Sequence, residues 1–227
     1  MEELVGRVVF MTGGDAPLGT GLANALTAAG AAVGFVTDLA SAASVEAAFS
    51  SLTSDLGSPS AVVHAAVDPV AIEPRSIEEV DDERFDGIWE KGMAATIWYC
   101  QSALRAFRAG GGGGSIVLVT PTVSMSGAAG LAPWCALVEG QRLLAKSAAR
   151  QWGRYGVNVN CLAPAAELVL APGTHRSEGL SLAPAALGGP GDARADLGPV
   201  LVAMIGAGMR FVTGATICAD GGVWMSP

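Results

Sequence analysis

The sequence is poor in the side chains that build metal sites and disulfide frameworks. It has two histidines and four cysteines, and no two cysteines form a Cys-x-x-Cys pair. Two histidines are too few for a His-rich metal site, so we expect no bound metal. Dispersed cysteines indicate buried thiols in a reducing compartment, and the amino terminus lacks the basic and apolar regions of a signal peptide. Both features predict a cytoplasmic protein.

Positive charge is scarce as well. The 13 Lys and Arg residues stand against 21 Asp and Glu residues, which gives a net charge of −8, and no basic run occurs. This balance argues against nucleic acid and anionic membranes as partners. The most apolar stretch, residues 197–219, is interrupted by Arg210 and several glycines. It therefore predicts a buried helix and a strand, not a membrane span.

The sequence is rich in short apolar runs that alternate with helix-like segments. Hydrophobic residues make up 51% of the 227 positions, and the length suits one large domain over residues 1–227. The alternation predicts a parallel sheet with helices on both faces. The predicted strands are 7–12, 32–37, 61–66, 115–120, 158–162 and 216–219. The predicted helices are 18–29, 44–56, 85–107, 133–155 and 196–207, with Ser44 as a cap and a mobile loop over 165–192.

A glycine-rich turn, Thr12 to Gly19, joins the first predicted strand to the first predicted helix. Glycines at this place allow a tight turn and a close approach to a pyrophosphate, which the amino end of the helix can hold. The turn stands at the start of a βαβ pattern. It therefore indicates a dinucleotide-binding origin.

This turn and two later motifs resemble the short-chain dehydrogenase/reductase family, and the resemblance covers nearly the whole chain. Residues 155–164 resemble the strand that follows the family's catalytic helix, and residues 211–214 and 220–222 resemble its carboxy-terminal signature. The resemblance implies a Rossmann-like, doubly wound α/β fold in three layers. Some 23 residues separate Thr37 from Ala61, where the family has a helix, an edge strand and another helix. We therefore expect one deleted edge βα unit and six strands instead of seven.

The family's catalytic positions hold residues that cannot transfer protons. Its tyrosine and lysine map to Trp134 and Val138, its serine to Pro121, and its helix asparagine to Gly92. Joint loss of a catalytic unit costs on the order of 10⁶ in rate. The indole of Trp134 keeps an N–H but is not an acid, so filling of the emptied pocket with apolar bulk is favoured. The prediction is that this chain has no catalytic residue.

The cofactor positions also depart from the family pattern. Pro17 stands where the middle glycine belongs and removes one N–H, and a lost bond to a charged group costs about 1.5–3 kcal/mol. Asp15 adds a carboxylate to the turn, and Asp38 is either a ribose-binding carboxylate or a loop residue. We predict that this chain binds no nicotinamide cofactor. The vestigial positions are Thr12, Gly13, Asp15, Pro17, Gly19 and Asp38.

These losses favour a catalytically inactive subunit that assembles with and stabilises an active paralogue, as a heterotetramer, with a homo-oligomer as the fallback. Inactive and active pairs of this family resemble dehydrogenases that act on acyl-CoA thioesters, an analogy at the level of the fold. One alternative is an NAD(P)-dependent oxidoreductase with an active site rearranged around Thr120 or Thr122. Another is a small-molecule binding or regulatory module. The predicted interface anchors are aromatic residues: Trp89, Trp98, Tyr99, Trp152 and Trp224.

Overall fold

The computed structural model describes residues 3–170 and 184–225. Its single sheet has six parallel strands in the order β2-β1-β3-β4-β5-β6. The strands are β1 (Val8–Met11), β2 (Ala32–Phe35), β3 (Ala61–His64), β4 (Gly114–Val119), β5 (Val157–Pro164) and β6 (Thr216–Ala219). The prediction of a doubly wound sheet with one edge unit missing is therefore confirmed. The strand order reverses around β1, and open α/β sheets bind ligands in the crevice at such a point.

Seven α-helices surround the sheet in the described residues. They are α1 (Pro17–Ala28), α2 (Ala42–Leu56), α3 (Asp82–Trp89), α4 (Ala95–Ala109), α5 (Val123–Ser126), α6 (Ala132–Trp152) and α7 (Gly198–Ile205). The predicted helix 85–107 is α3 and α4, joined by a π-helical turn at Glu90–Ala94. A second π-helical turn, Ala193–Leu197, leads into α7. The middle of the predicted loop 165–192 lies outside the described residues.

Alternation of side chains along the strands builds an apolar core on each face of the sheet. Val9 and Met11 face α1 and α7, where Leu22 and Leu201 cover them. Phe10, Val62 and Ile116 face the opposite side, where α2, α4 and α6 contribute further buried side chains. Successive strand residues point to opposite faces, so both faces need a helical layer. This confirms the three-layer arrangement.

The helix after β2 begins earlier than predicted. Ser41, not Ser44, is the N-cap of α2, and the Ser41 side chain accepts a hydrogen bond from the Ser44 N–H at 3.0 Å. The Ser44 side chain accepts the Ser41 N–H at 3.1 Å, which completes a capping box. The early start leaves a short connection after β2. This connection lies at the carboxyl edge of the sheet, beside the glycine turn.

Candidate active site

A cavity of about 570 Å³ opens at the carboxyl ends of β2, β3 and β4, between α4 and α6. This volume is typical of small-molecule sites. Apolar side chains of α6 form one wall, and polar side chains from the loops and the π-helical turn form the other. The lining includes Trp134, Leu137, Val138 and Gln141 on α6, and Asp38, His64, Asp68, Glu90 and Lys91 elsewhere.

The glycine turn beside the cavity keeps the shape that a phosphate needs. Gly13 has a φ of +77°, and a Cβ there would lie 2.6 Å from the carbonyl oxygen of Ala65. A Cβ on Gly19 would collide with the carbonyl oxygen of Gly13. Only glycine therefore fits these two positions. The turn is a tight cradle against β3, not a loosened remnant.

The amino end of α1 is open toward this cradle. Its N-cap, Ala16, provides no side-chain hydrogen bond, and the first intrahelical bond runs from Thr20 N–H to Ala16 O at 2.9 Å. The N–H groups of Leu18 and Gly19 thus have no acceptor within the helix. Pro17 is the first helical residue, where its fixed φ suits the helix. Pro17 removes one donor, but two N–H groups and the helix dipole remain for an anion.

A hydrogen-bonded chain links the glycine turn to α6 behind the cavity. Thr12 Oγ1 lies 3.0 Å from His64 Nδ1, and Thr96 Oγ1 lies 3.0 Å from His64 Nε2. Gln141 Nε2 donates to Thr96 Oγ1 at 2.8 Å. All four side chains are buried. These hydrogen bonds therefore connect β1, β3, α4 and α6 through one histidine.

The hydrogen bonds of Thr12 and Thr96 determine which ring nitrogen of His64 carries the proton. Thr12 Oγ1 accepts the backbone N–H groups of the two residues after His64, each at 3.0 Å, so its own proton goes to His64 Nδ1. His64 Nε2 therefore donates to Thr96 Oγ1, which donates in turn to Gly92 O at 2.7 Å. Burial lowers the pKa of His64 from 6.5 to about 4. The ring is neutral near pH 7, and its one proton is used by Thr96.

The four family catalytic positions do meet at the cavity, as Trp134, Val138, Pro121 and Gly92 all line it. Trp134 and Val138 are 1% and 2% exposed and pack within one apolar cluster. Gly92 lies in the π-helical turn, and a Cβ there would collide with the side chain of Leu137 on α6. The space of the family's lysine and asparagine is therefore closed by α6 and this turn.

The hydroxyl groups near Pro121 do not replace the family's serine. Thr120 is fully buried and has no oxygen or nitrogen partner among the described residues, although it approaches the Cys161 thiol. Thr122 Oγ1 donates to Pro164 O at 3.3 Å. Neither threonine lines the cavity. A rearranged site must therefore depend on other groups.

The two tyrosines do not replace the missing acid either. Tyr99 is fully buried, its hydroxyl donates to Phe10 O at 2.7 Å, and burial raises its pKa well above the usual range. Tyr155 precedes β5 at the opposite end of the sheet, between the guanidinium groups of Arg108 and Arg154. Neither phenol reaches the cavity lining.

The predicted interface aromatics divide between core and surface. The prediction for Tyr99 is wrong, because a residue buried in the monomer core offers no surface to a partner. Trp98 lines the cavity, and Trp152, the last residue of α6, packs partly buried against the core. Trp89 is 40% exposed and stacks on Phe85, with 6.3 Å between ring centroids. Of these four, Trp89 is the one that offers a large surface.

Trp224 lies at the carboxy-terminal end of the described chain and is partly buried. Its backbone N–H donates to Asp220 Oδ2 at 2.8 Å, and the other oxygen of Asp220 accepts the Gly222 N–H at 3.0 Å. Asp220 therefore organises a turn after β6, and this turn places the indole.

Ionisable groups gather on the polar wall of the cavity. Asp38 accepts the Ala40 N–H at 2.9 Å and stands at the end of β2, while Asp15 is exposed on the glycine turn. Lys91 Nζ lies 3.4 Å from Asp68 Oδ2. The sequence did not predict roles for Lys91 or His64. Two sequence features could have pointed to such roles: Lys91 is next to Gly92, and His64 lies in a predicted strand near its end.

No group of three or more His, Cys, Asp or Glu side chains in the described residues is arranged to hold a metal ion. No helix in the described part of the chain has the length and apolar character needed to cross a bilayer.

The fold and the glycine turn define a member of the short-chain dehydrogenase/reductase class. The family model described as Enoyl-(Acyl carrier protein) reductase matches residues 5–224. This chain therefore belongs to the short-chain dehydrogenase/reductase family.

Relatives and solved structures agree with this assignment. The 2-dehydro-3-deoxy-D-gluconate 5-dehydrogenase of Escherichia coli K12 is 26% identical over 251 aligned positions, which cover 99% of this chain and 97% of that protein. An uncharacterized oxidoreductase of Mycobacterium tuberculosis is 37% identical over 89 residues, which is 39% of this chain and a third (33%) of that protein's length. The NADH complex of Brucella melitensis 3-ketoacyl-(acyl-carrier-protein) reductase superposes with a TM-score of 0.84 at 22% identity, covering 97% of this chain and 99% of that one.

Two predictions from the sequence are corrected by these findings. The prediction of a catalytically inactive assembly subunit is wrong, because the matching family model describes a reductase and the relatives are named as dehydrogenases and oxidoreductases. The prediction that the chain binds no nicotinamide cofactor is wrong for the same reason, and the structural neighbour in complex with NADH shares its fold. The physical reason is that Pro17 leaves the cradle and two helix donors in place.

Proposed function

We propose that this chain is an NAD(H)-dependent oxidoreductase that interconverts a carbonyl group and an alcohol in a rearranged active site. The intact glycine cradle at the open amino end of α1 carries this proposal, because it lies next to a cavity of small-molecule size. The family match and the dehydrogenase names of the relatives support it. When bound, the nicotinamide supplies or accepts the hydride.

The chain's own residues suit the cofactor's phosphates and ribose. The N–H groups of Leu18 and Gly19 and the helix dipole would hold the pyrophosphate against the cradle. Asp38 at the end of β2 would accept hydrogen bonds from ribose hydroxyls. A carboxylate there repels a 2′-phosphate, so we expect NAD(H) to bind more tightly than NADP(H).

Lys91 is the proposed proton donor for carbonyl reduction. Carboxylates at neutral pH accept protons, an indole is not an acid, and the proton of His64 is committed to Thr96. Among the described lining residues, the ammonium group of Lys91 is the remaining proton carrier. Asp68 holds this ammonium group at 3.4 Å. Asp68 therefore positions Lys91 at the cavity mouth, and the apolar wall around Trp134 excludes water.

Calorimetry with the whole chain tests cofactor binding directly. We expect NADH to bind, NADPH to bind more weakly, and Asp38→Asn to reduce the preference for NADH by about tenfold, the worth of one hydrogen bond. Asp38 is exposed, so the variant should fold. Absence of both NADH and NADPH binding would overturn the proposal.

Turnover separates the role of Lys91 from cofactor binding. Lys91→Met should lower the rate of NADH-dependent carbonyl reduction by about a hundredfold or more while NADH affinity stays the same. Arg210→Met removes an exposed cation away from the cavity and serves as the control. Equal rates for Lys91→Met and the parent chain would exclude Lys91 as the donor.

A further inference from the structure

The cavity that serves the proposed reaction has an unbalanced charge. Three carboxylate side chains line it, those of Asp38, Asp68 and Glu90, and the described lining offers one ammonium group, that of Lys91. His64 adds no positive charge near pH 7, because it is buried and its ring nitrogens are both satisfied by threonine hydroxyls. The polar wall is therefore net negative.

The one cation of this wall is already paired. Lys91 Nζ lies 3.4 Å from Asp68 Oδ2, and Asp68 is held in turn by the Val70 N–H at 2.9 Å from Oδ1. A carboxylate or phosphate on a substrate would have to compete with Asp68 for the ammonium group. It would also approach the side chain of Glu90, next in sequence to Lys91, which lines the same cavity without a basic partner in the described residues.

The opposite wall offers no cationic group for an anion. Trp134, Leu137 and Val138 form it, together with Val119 and Pro121 at the end of β4. These side chains favour contact with apolar carbon skeletons. An anionic substrate would lose its hydration there and gain no ion pair in return.

We propose that this cavity selects neutral, compact ketones and the corresponding secondary alcohols, and rejects substrates that carry a carboxylate or phosphate near the reacting carbon. The substrate class rests on the proposed oxidoreductase function. Selectivity follows from Glu90 and Asp68 on the polar wall and from Trp134 on the apolar one. Each is a specificity residue for the same site.

Equilibrium binding to the purified chain tests this proposal without turnover. The probes are methyl 4-acetylbenzoate and 4-acetylbenzoate, which share one ketone skeleton and differ in one negative charge. We expect calorimetry to show that the ester binds at least about tenfold more tightly than the acid. Solvent weakens the repulsion between the acid and the partly exposed carboxylates of the cavity, but does not remove it. This preference should shrink at high salt.

Glu90→Gln isolates the charge of the polar wall. The variant should narrow the preference for the ester, because one carboxylate is removed while the size of the side chain is kept. Glu83→Gln is the matched control, as Glu83 is an exposed carboxylate on α3 outside this cavity. An unchanged preference in Glu90→Gln would overturn the proposal, as would tighter binding of the acid or no binding of either probe at millimolar concentration.

Turnover with NADH distinguishes this proposal from the one on which it rests. Reduction of the ester and not of the acid supports both. Preferential binding of the ester without any NADH-dependent reduction overturns the oxidoreductase function and leaves the charge selectivity intact. Reduction of the acid at a rate equal to or above that of the ester overturns the selectivity alone.

Discussion

His64 couples protonation to folding at the cavity. Its pKa falls from 6.5 to about 4 on burial, so the unfolded chain binds a proton more readily between these values. The free energy of unfolding should therefore be largest above pH 6.5 and fall by roughly 3 kcal/mol as the pH drops to about 4. Urea unfolding across this range measures it. His64→Gln should make the free energy of unfolding less dependent on pH. An equally steep pH dependence in that variant would contradict the attribution of this effect to His64.

Trp134 should contribute to stability because it fills the space of the family's tyrosine. It is 1% exposed and packs in an apolar cluster with Val123, Leu131 and Val138. Trp134→Ala should lower the free energy of unfolding by about 3–5 kcal/mol. Trp89→Ala, at a 40% exposed position, should cost less than about 1 kcal/mol. Similar losses in both variants, measured by urea unfolding, would argue against a core role for Trp134.

The sequence shows which catalytic residues are missing, but not which side chains surround their positions in the fold. Local motifs give the positions of Trp134, Val138, Pro121 and Gly92, and all four residues line the cavity. The role of His64 depends on contacts with Thr12 and Thr96, at least 32 positions away in the sequence. The role of Lys91 depends on its contact with Asp68 and on a π-helical turn, and no local pattern encodes either feature. The absence of the family's catalytic residues alone gave the wrong prediction of an inactive subunit.

At the scale of secondary structure, the six strands were predicted because buried parallel strands are short, continuous apolar runs. The deleted edge unit was predicted because chain length between two strands limits what can fit. The start of α2 was missed by two residues and its N-cap by three, since Ser41 and Ser44 both suit an N-cap and only the capping box separates them. The π-helical turn was missed because its sequence is compatible with an α-helix.

The π-helical turn at Glu90–Ala94 places Gly92 against α6, and the contact leaves no room for a side chain. A Cβ on Gly92 would meet the Leu137 side chain, so Gly92→Ala should destabilise the protein by about 1–3 kcal/mol. Leu137→Ala should relieve the clash, and the double variant should lose less than the two single losses combined. Gly87→Ala is the control, because a Cβ there meets nothing within 4 Å. Additive losses in thermal or urea unfolding would contradict a direct contact.

Charge is distributed unevenly over the whole molecule. Lys146 and Arg150 lie on the exposed face of α6, Arg154 follows in the turn just after it, and Leu143 is 64% exposed. Residues 78–86 carry the opposite charge, with exposed carboxylates at six of the nine positions, and Phe85 and Trp89 extend this acidic surface with exposed rings. Two copies could satisfy both surfaces at once in a two-fold arrangement, in which each basic face meets the partner's acidic segment.

We therefore expect the chain to self-associate through α3 of one copy and α6 of another, with a mass above the monomer's 22.7 kDa in light scattering. Lys146→Glu with Arg150→Glu should shift the protein toward monomer, because like charges then face each other across the contact. Adding Asp82→Lys with Asp86→Lys should restore assembly, whereas Arg210→Glu, elsewhere on the surface, should leave the mass unchanged. Retention of the oligomer by the first pair, or a monomeric parent chain, would exclude this contact.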